Sequence, residues 1–174
     1  MCGICGIIDP AGRLAEAQKR ETVARMNQAR YHRGPEGEGN YASATAALAM
    51  RRLAIIDLGG GQQPSYNESG RIGVFLNGEI YNYRELRQQL RRSGHVFRTD
   101  CDTEVLVHLY EEHGTGMCAL LRGMFSFCLY DLDADFFLLA RDRFGEKPLY
   151  YHWDRGVLSF ASEIRALLEY EGLD

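Results

Sequence analysis

An α+β protein built from antiparallel sheets is the fold class this sequence predicts, and three observations predict it. Nineteen glycines against four prolines in 174 residues suit many tight turns, hence a sheet-rich chain. The last third is a series of short apolar runs with hairpin-like turns: Phe125, Phe127 and Leu129 alternate along one, Phe136 to Ala140 form another, and Pro148 to Tyr151 and Val157 to Ala161 follow. Helices are few, which favours hairpin-connected strands over a parallel βαβ sheet. The length bounds a single domain, able to bury about two-thirds of its surface.

Composition excludes several functions. With 45% hydrophobic and 25% charged residues the chain is globular rather than disordered. A net charge of −4 with scattered Lys and Arg argues against nucleic acid and anionic membranes as partners. The longest apolar runs, such as Phe136–Ala140, are too short to cross a bilayer. Residues 2–8 are apolar but lack a basic flank and end at Asp9, unlike a secretory signal. Five cysteines at irregular spacing fit reduced thiols and a cytoplasmic location better than a disulfide framework.

In chain order, residues 2–8 read as a strand closed by the turn Asp9-Pro10-Ala11-Gly12. Leu14 to Arg30, with Val23, Met26 and Ala29 on one side, reads as a helix. It stops at the glycine-punctuated loop Tyr31 to Gly39. Residues 40–50 and 52–57 read as strands, the second opened by Arg52, and a glycine-rich loop follows. Ile72 to Leu76 is a strand ending at Asn77-Gly78. Asn82 reads as an N-cap with Glu85 as its capping-box partner, for a helix ended by Gly94. An extended piece, His95 to Thr99, leads to a second helix, Glu104 to His113, stopped by Gly114. Ser162 reads as the cap of a final helix, Glu163 to Tyr170.

The amino terminus carries the sharpest chemical possibility. Once Met1 is removed, Cys2 holds a thiol and a free α-amine on one residue. Ordinary thiols titrate near ~8.5 and α-amines near ~7.7–8.0, so such an amine serves as the base for its own nucleophile. By itself the segment reads first as a buried strand with two core thiols, Cys2 and Cys5. Strand alternation points Cys5 to the opposite face from Cys2, into the core.

Other signals are discounted. Cys2-x-x-Cys5 lacks a second ligand pair at zinc spacing. His108 and His113 are five apart, so they diverge on their helix and read as solvated residues. Gly59-Gly60-Gly61 lacks the Lys and Ser/Thr of a phosphate loop. What remains is polar residues at costly places. Arg52 suits a carboxylate through its planar fork. Asn77-Gly78 pairs a side-chain amide with an unobstructed backbone N–H, a plausible oxyanion hole. Asp102, before a helix, is either an N-cap or the partner of an ammonium.

A set of ordered motifs then gives the pattern its meaning. They are Met1 to Gly6, His32-Arg33-Gly34-Pro35, Arg52 to Asp57, Asn77 to Asn82, Asp102-Thr103-Glu104-Val105, Gly123 to Phe127, Arg141 to Gly145 with Lys147 to Tyr151, and Phe160-Ala161-Ser162-Glu163. The set resembles the glutaminase domain of glutamine-hydrolysing asparagine synthetases, a class II (N-terminal nucleophile) glutamine amidotransferase, over nearly all of residues 2–170. The resemblance implies a four-layer αββα sandwich of two antiparallel sheets. It implies hydrolysis of L-glutamine to L-glutamate and ammonia, with Cys2 as nucleophile and Asn77 and Gly78 stabilising the oxyanion. Arg52 would hold the substrate α-carboxylate and Asp102 its α-ammonium, with Ile56 and Glu79 completing the pocket. Two residues depart from the family pattern: Glu36 stands where Asp is usual, and Cys101 where Ser is usual.

The implied partner is a synthetase domain or subunit that receives ammonia for ATP-dependent asparagine synthesis. Its Ser-Gly-Gly loop is absent here, so the reading is one amidotransferase domain over 2–174 without the synthetase domain. No metal or cofactor is expected in this domain; ATP and Mg belong to the synthetase. The aromatic strands of the last third are the expected association surface, and a homo-oligomer is allowed. The alternatives are a glutaminase module serving a different acceptor, a non-catalytic glutamine-binding assembly module, and a thiol redox or metal protein using Cys2 and Cys5.

Overall fold

The computed structural model describes residues 2–53 and 61–172. Its contacts divide the chain into two compact units, one joining Met1–Leu53 to Pro148–Asp174 and the other comprising Ala54–Lys147.

The first unit is an antiparallel five-stranded sheet in the order β2-β3-β1-β9-β8. Its strands are β1 (Gly3–Ile8), β2 (Gly37–Ala42), β3 (Ala46–Arg52), β8 (Tyr150–Asp154) and β9 (Val157–Ala161). β1 runs between β3 and β9, and all six of its residues are buried. That explains a continuous apolar run where a half-exposed strand would alternate. Gly6 is needed for packing: a Cβ there would lie 2.5 Å from Leu48 Cδ2 and 2.8 Å from the Phe160 ring. Helices α1 (Glu16–Gln28) and α4 (Ile164–Leu167) cover one face, where Val23, Met26, Ala166 and Leu167 pack on Cys5, Ile7, Ala47, Ala49 and Ala161.

The second unit is an antiparallel four-stranded sheet in the order β4-β5-β6-β7. Its strands are β4 (Ser65–Tyr66), β5 (Ile72–Ile80), β6 (Gly123–Asp131) and β7 (Phe136–Arg141). One face meets α2 (Tyr83–Arg92) and α3 (Glu104–His113): Val74, Leu76, Phe125, Phe127 and Leu129 pack with Leu86, Leu90, Val105 and Leu109. Phe75, Asn77, Ser126, Cys128 and Tyr130, at the alternate positions, are also buried.

The expected class, α+β with two antiparallel sheets, is the observed one, and most strands and α3 fall where the pattern puts them. Local boundaries differ for identifiable reasons. α1 begins at Glu16 rather than Leu14 because the Leu14 N–H is held by Asp9 Oδ2 at 2.8 Å. The reading of 40–50 as one strand is corrected to a β2–β3 hairpin, whose turn is built by the Ser43 hydroxyl accepting from the N–H groups of Thr45 and Ala46. Arg52 closes β3 rather than opening a strand; the remainder of the strand expected over 52–57 lies outside the described residues.

β5 runs on through Asn77-Gly78 to Ile80 in unbroken register with β6, so this pair is neither a strand end nor a turn. Asn82 stands at the N-cap of α2 as expected but without a capping bond, the cap expected at Ser162 is corrected, and of the two readings of Asp102 the cap does not hold. Asn82 flanks α2 but accepts from Arg122 N–H at 2.9 Å and donates to Leu120 O at 3.0 Å. Asp102 does not cap α3, and the Ser162 hydroxyl accepts from Ile4 N–H at 3.0 Å instead of capping α4. The final helix itself is one turn, Ile164–Leu167. No helix among the described residues is long and apolar enough to cross a membrane.

Candidate functional site

In the first unit, the antiparallel pairing of β1 with β3 opposes Gly3 to Arg51, which brings Cys2 alongside Arg52 and Leu53. The partly buried Cys2 Sγ lies 3.4 Å from both the carbonyl oxygen and the N–H of Leu53. Its own carbonyl oxygen accepts from Arg33 Nε at 2.8 Å. Arg33 Nη1 is held by Glu163 Oε1 at 2.9 Å, and His32 Nε2 lies 3.1 Å from the same oxygen. Gly3 makes room for this clamp: a Cβ would stand 2.7 Å from Arg30 Nη1 and 3.0 Å from Arg33 Cδ.

Arg52 is buried, and the loop after the short 3-10 turn Tyr31–Arg33 presses on its backbone. A Cβ at Gly34 would come within 2.5 Å of the Arg52 carbonyl carbon. Cys5 is a different kind of thiol. It is buried among α1 side chains and accepts from Arg30 Nη2 at 2.7 Å, and burial pushes its pKa up against the pull of that guanidinium.

In the second unit, Asn77, Gly78 and Glu79 are consecutive on β5, opposite Ser126, Phe125 and Met124. Asn77 is buried, with Nδ2 donating to Ser126 Oγ at 3.4 Å. Gly78 has φ +149°, and a Cβ would run into the Met124 carbonyl oxygen, so no other residue fits. Asp102, 4% exposed, turns its Oδ2 to the Ile80 N–H at 2.8 Å, which fixes it against the end of β5.

Glu79 and Asp102 form a carboxyl pair. Burial raises both, and the hydrogen bond between them raises Glu79 while lowering Asp102. Burial and the neighbouring carboxyl push the Glu79 pKa up to about 7 despite the opposing pull of Lys147. Such a pair of buried carboxyls is suited to receive an ammonium group. Cys101 preserves the contact that a Ser would make: its Sγ donates to Asp102 Oδ1 at 3.4 Å, and burial holds the thiol up at about 11, so it stays a donor.

Lys147 is placed by the loop Arg141 to Lys147, which wraps around Asp142. That carboxylate accepts from the N–H groups of Phe125, Phe144, Glu146 and Lys147, and these bonds outweigh burial to hold its pKa down. The structure thus gathers Cys2 with Arg52 in one unit, and Asn77, Gly78, Glu79 and Asp102 in the other. Ile56 lies outside the described residues.

Arg33, Glu163 and Lys147 were not singled out as site residues. The available signal was their position inside quoted motifs, His32-Arg33-Gly34-Pro35, Phe160-Ala161-Ser162-Glu163 and Lys147 to Tyr151. A groove of about 510 Å³ beneath α1 and β2–β3 has neither Cys2 nor Arg52 in its lining. Its lining carries no nucleophile and no convergent carboxylate pair.

Comparison with known proteins gives the family of the chain. A family model described as "Glutamine amidotransferase domain" matches residues 1–174. The chain is 44% identical over 170 residues to asparagine synthetase [glutamine-hydrolyzing] 2 of Bacillus subtilis (strain 168), covering 98% of this chain and 22% of that protein. It is 45% identical over 166 residues to asparagine synthetase [glutamine-hydrolyzing] of Sandersonia aurantiaca, covering 94% of this chain and 31% of that protein. The chain therefore spans less than a third of the length of these curated relatives. Among solved structures, the glutamine phosphoribosylpyrophosphate amidotransferase from B. subtilis complexed with ADP and GMP superposes with a TM-score of 0.76 at 22% identity, over 95% of this chain and 43% of that one. A second, described as the allosteric regulatory enzyme of purine biosynthesis, gives 0.78 at 22% identity, over 97% and 43%. At that identity the likeness concerns the fold.

Proposed function

This chain belongs to the glutamine amidotransferase domain family, and from that premise we propose that it hydrolyses L-glutamine to L-glutamate and ammonia with Cys2 as nucleophile. The ammonia is passed to a synthetase domain or subunit for ATP-dependent asparagine synthesis.

In the proposed reaction the α-amine of a mature Cys2 takes the thiol proton, and Sγ adds to the side-chain carboxamide carbon. The tetrahedral oxyanion is met by the Asn77 side-chain amide and the Gly78 backbone N–H. Return of the proton to nitrogen expels ammonia and leaves a thioester. Water then adds to that carbonyl, the thiolate departs, and glutamate is released. Arg52 holds the substrate α-carboxylate through a bidentate pair. Asp102, with Glu79, receives the α-ammonium, and Ile56 completes the pocket. Arg33 is a positioning residue that fixes the Cys2 carbonyl. The domain needs no cofactor for these steps; ATP and Mg serve the synthetase reaction.

The observation that carries the reading is the carboxyl pair of Glu79 and Asp102 beside Asn77-Gly78, which puts an ammonium acceptor next to an oxyanion-hole candidate along β5. It is supported by the full-length family match and by identities above 40% to proteins named as glutamine-hydrolysing. Five free cysteines fit the cytoplasm.

For the partner, the β8 edge of the first unit is the favoured face. It is a terminal strand of its sheet that exposes Tyr150, Tyr151 and Trp153, with Ile164 and Leu168 nearby on the α4 side. An uncovered aromatic edge is a liability unless a partner buries it, and the relatives are more than three times as long as this chain.

The test is glutamate formation from L-glutamine by the purified chain, with its intact mass reporting whether Met1 has been removed. Activity is expected only in the processed fraction. Equal turnover by chains that retain Met1 would rule out the α-amine as the base.

A further inference from the structure

Helical spacing separates His108 from His113, and the structure gives the two very different settings. His113 is exposed, whereas the side chain of His108 is fully buried. His108 Nδ1 lies 3.2 Å from Glu111 Oε2 and 3.3 Å from Glu68 Oε2. His95 Nδ1, from the segment after α2, lies 3.5 Å from Glu68 Oε1 and 3.6 Å from Glu111 Oε2. One ligand atom from each of these four residues falls within 4.8 Å of all the others.

Outer hydrogen bonds orient three of the four groups, His95, Glu68 and Glu111, as metal ligands are oriented. Each imidazole turns its Nδ1 inward; His95 Nε2 meets Glu112 Oε1 at 3.0 Å, whereas His108 Nε2 faces Glu104 Oε1 at 3.9 Å, too far for a hydrogen bond. With Nε2 protonated, both Nδ1 lone pairs face the centre. The two carboxylates are oriented as well. Glu68 Oε1 accepts from Val96 N–H at 2.8 Å, and Glu111 Oε1 from Asn67 Nδ2 at 2.8 Å. Glu104 is itself held by the N–H groups of Arg98 and Thr99 and by the Thr99 hydroxyl.

We propose that Glu68, His95, His108 and Glu111 form a tetrahedral Zn²⁺ site in the second unit. Zinc bonds to imidazole and carboxylate of about 2.0–2.1 Å place tetrahedral ligand atoms about 3.3 Å apart. The observed N···O separations of 3.2–3.6 Å lie close to that, and the four ligand atoms, within 4.8 Å of one another, draw together on the ion. Two carboxylates and two neutral imidazoles balance the charge of one divalent cation. The donor set, half nitrogen and half oxygen, favours zinc over Mg²⁺ or Ca²⁺, which prefer oxygen alone. Four protein ligands make the site structural rather than catalytic. It ties the turn before β5, the segment after α2, and α3 into one clamp. Partial exposure of Glu68 and Glu111 gives the ion its way in.

The site is tested by Zn²⁺ titration of chelator-treated protein, followed by calorimetry and native mass, with Co²⁺ as a spectroscopic stand-in. Because thiolates also bind zinc, the parent chain and Cys2→Ala are run together. The expected result is one Zn²⁺ per chain in both, a raised melting temperature, and Co²⁺ visible bands of four-coordinate type without a thiolate charge-transfer band. His95→Ala removes a ligand without emptying a buried site and should weaken affinity at least about 100-fold; Glu112→Gln, in the outer shell, should weaken it about 10–100-fold. His113→Ala should change nothing. The proposal is overturned by sub-stoichiometric binding, by unchanged affinity in His95→Ala, or by a Co²⁺–thiolate band that disappears in Cys2→Ala.

Discussion

Arg33 Nε donates to the carbonyl oxygen of Cys2 at 2.8 Å while Glu163 holds the same guanidinium at 2.9 Å. The residue proposed as nucleophile is thus fixed by its backbone carbonyl, beside the Leu53 contacts of its Sγ. Glu163 also bears on His32, and these bonds hold its carboxyl below the usual range despite burial. Arg33→Lys keeps the charge but loses the planar fork. Misplacement of a reacting group by about 1 Å costs on the order of 10²-fold, so kcat for glutamine hydrolysis should fall by up to that factor while KM moves little. A rise in KM with kcat intact would assign Arg33 to substrate binding instead.

Asn77→Ala should cut kcat by about 10²–10³ while still unfolding cooperatively in urea, because the register of β5 with β6 is made by the backbone. Equal turnover by the variant and the parent would remove Asn77 from the oxyanion hole.

Gly78→Ala should behave differently. With φ +149° and the Met124 carbonyl in the way, the methyl group should destabilise the fold by more than about 1 kcal/mol. Urea unfolding of the variant is the check, and an unchanged midpoint would contradict the register described here.

The Glu79–Asp102 pair predicts a pH dependence of substrate binding. Glu79 carries its proton up to about pH 7, and an incoming ammonium favours the ionised form. Glutamine affinity, measured by calorimetry on the catalytically silent Cys2→Ala chain, should therefore rise as pH increases through about 7 and flatten in Glu79→Gln. The stability sign is opposite. A carboxyl with a raised folded-state pKa loses stability as pH climbs from its unfolded value of 4.5 to about 7. Glu79→Gln should then melt above the parent at pH beyond 7 and match it in acid. A parent affinity that is flat across this range would undo the assignment.

Trp153→Ser with Tyr151→Ser, at the exposed β8 edge, should leave glutamine hydrolysis unchanged but lower ammonia-dependent product formation when the synthetase partner is supplied. Full coupling in this double variant would move the interface elsewhere.

Much of this was legible in the sequence. Alternation marked β6, short apolar runs marked β7 and β9, and the motifs singled out Cys2, Arg52, Asn77, Gly78 and Asp102 as the candidate set. What was not legible depended on where side chains turn in three dimensions. Asn82, Asp102 and Ser162 have cap-like positions, yet each spends its polar atoms on a distant backbone group. The β2–β3 turn is built by a Ser hydroxyl and carries no Gly or Pro to announce it. His108 reads as a surface residue from its spacing alone, and only its burial against Glu68 and His95 reveals the cluster. Arg33 likewise has no periodic signature, because its role is a contact 31 positions away.

The most direct test of the central claim is glutamate release from L-glutamine by Cys2→Ala beside Cys5→Ala. Cys2→Ala should fold normally and release no glutamate, whereas Cys5→Ala, lacking a buried thiol paired with Arg30, should retain turnover. Hydrolysis persisting in Cys2→Ala would contradict the account.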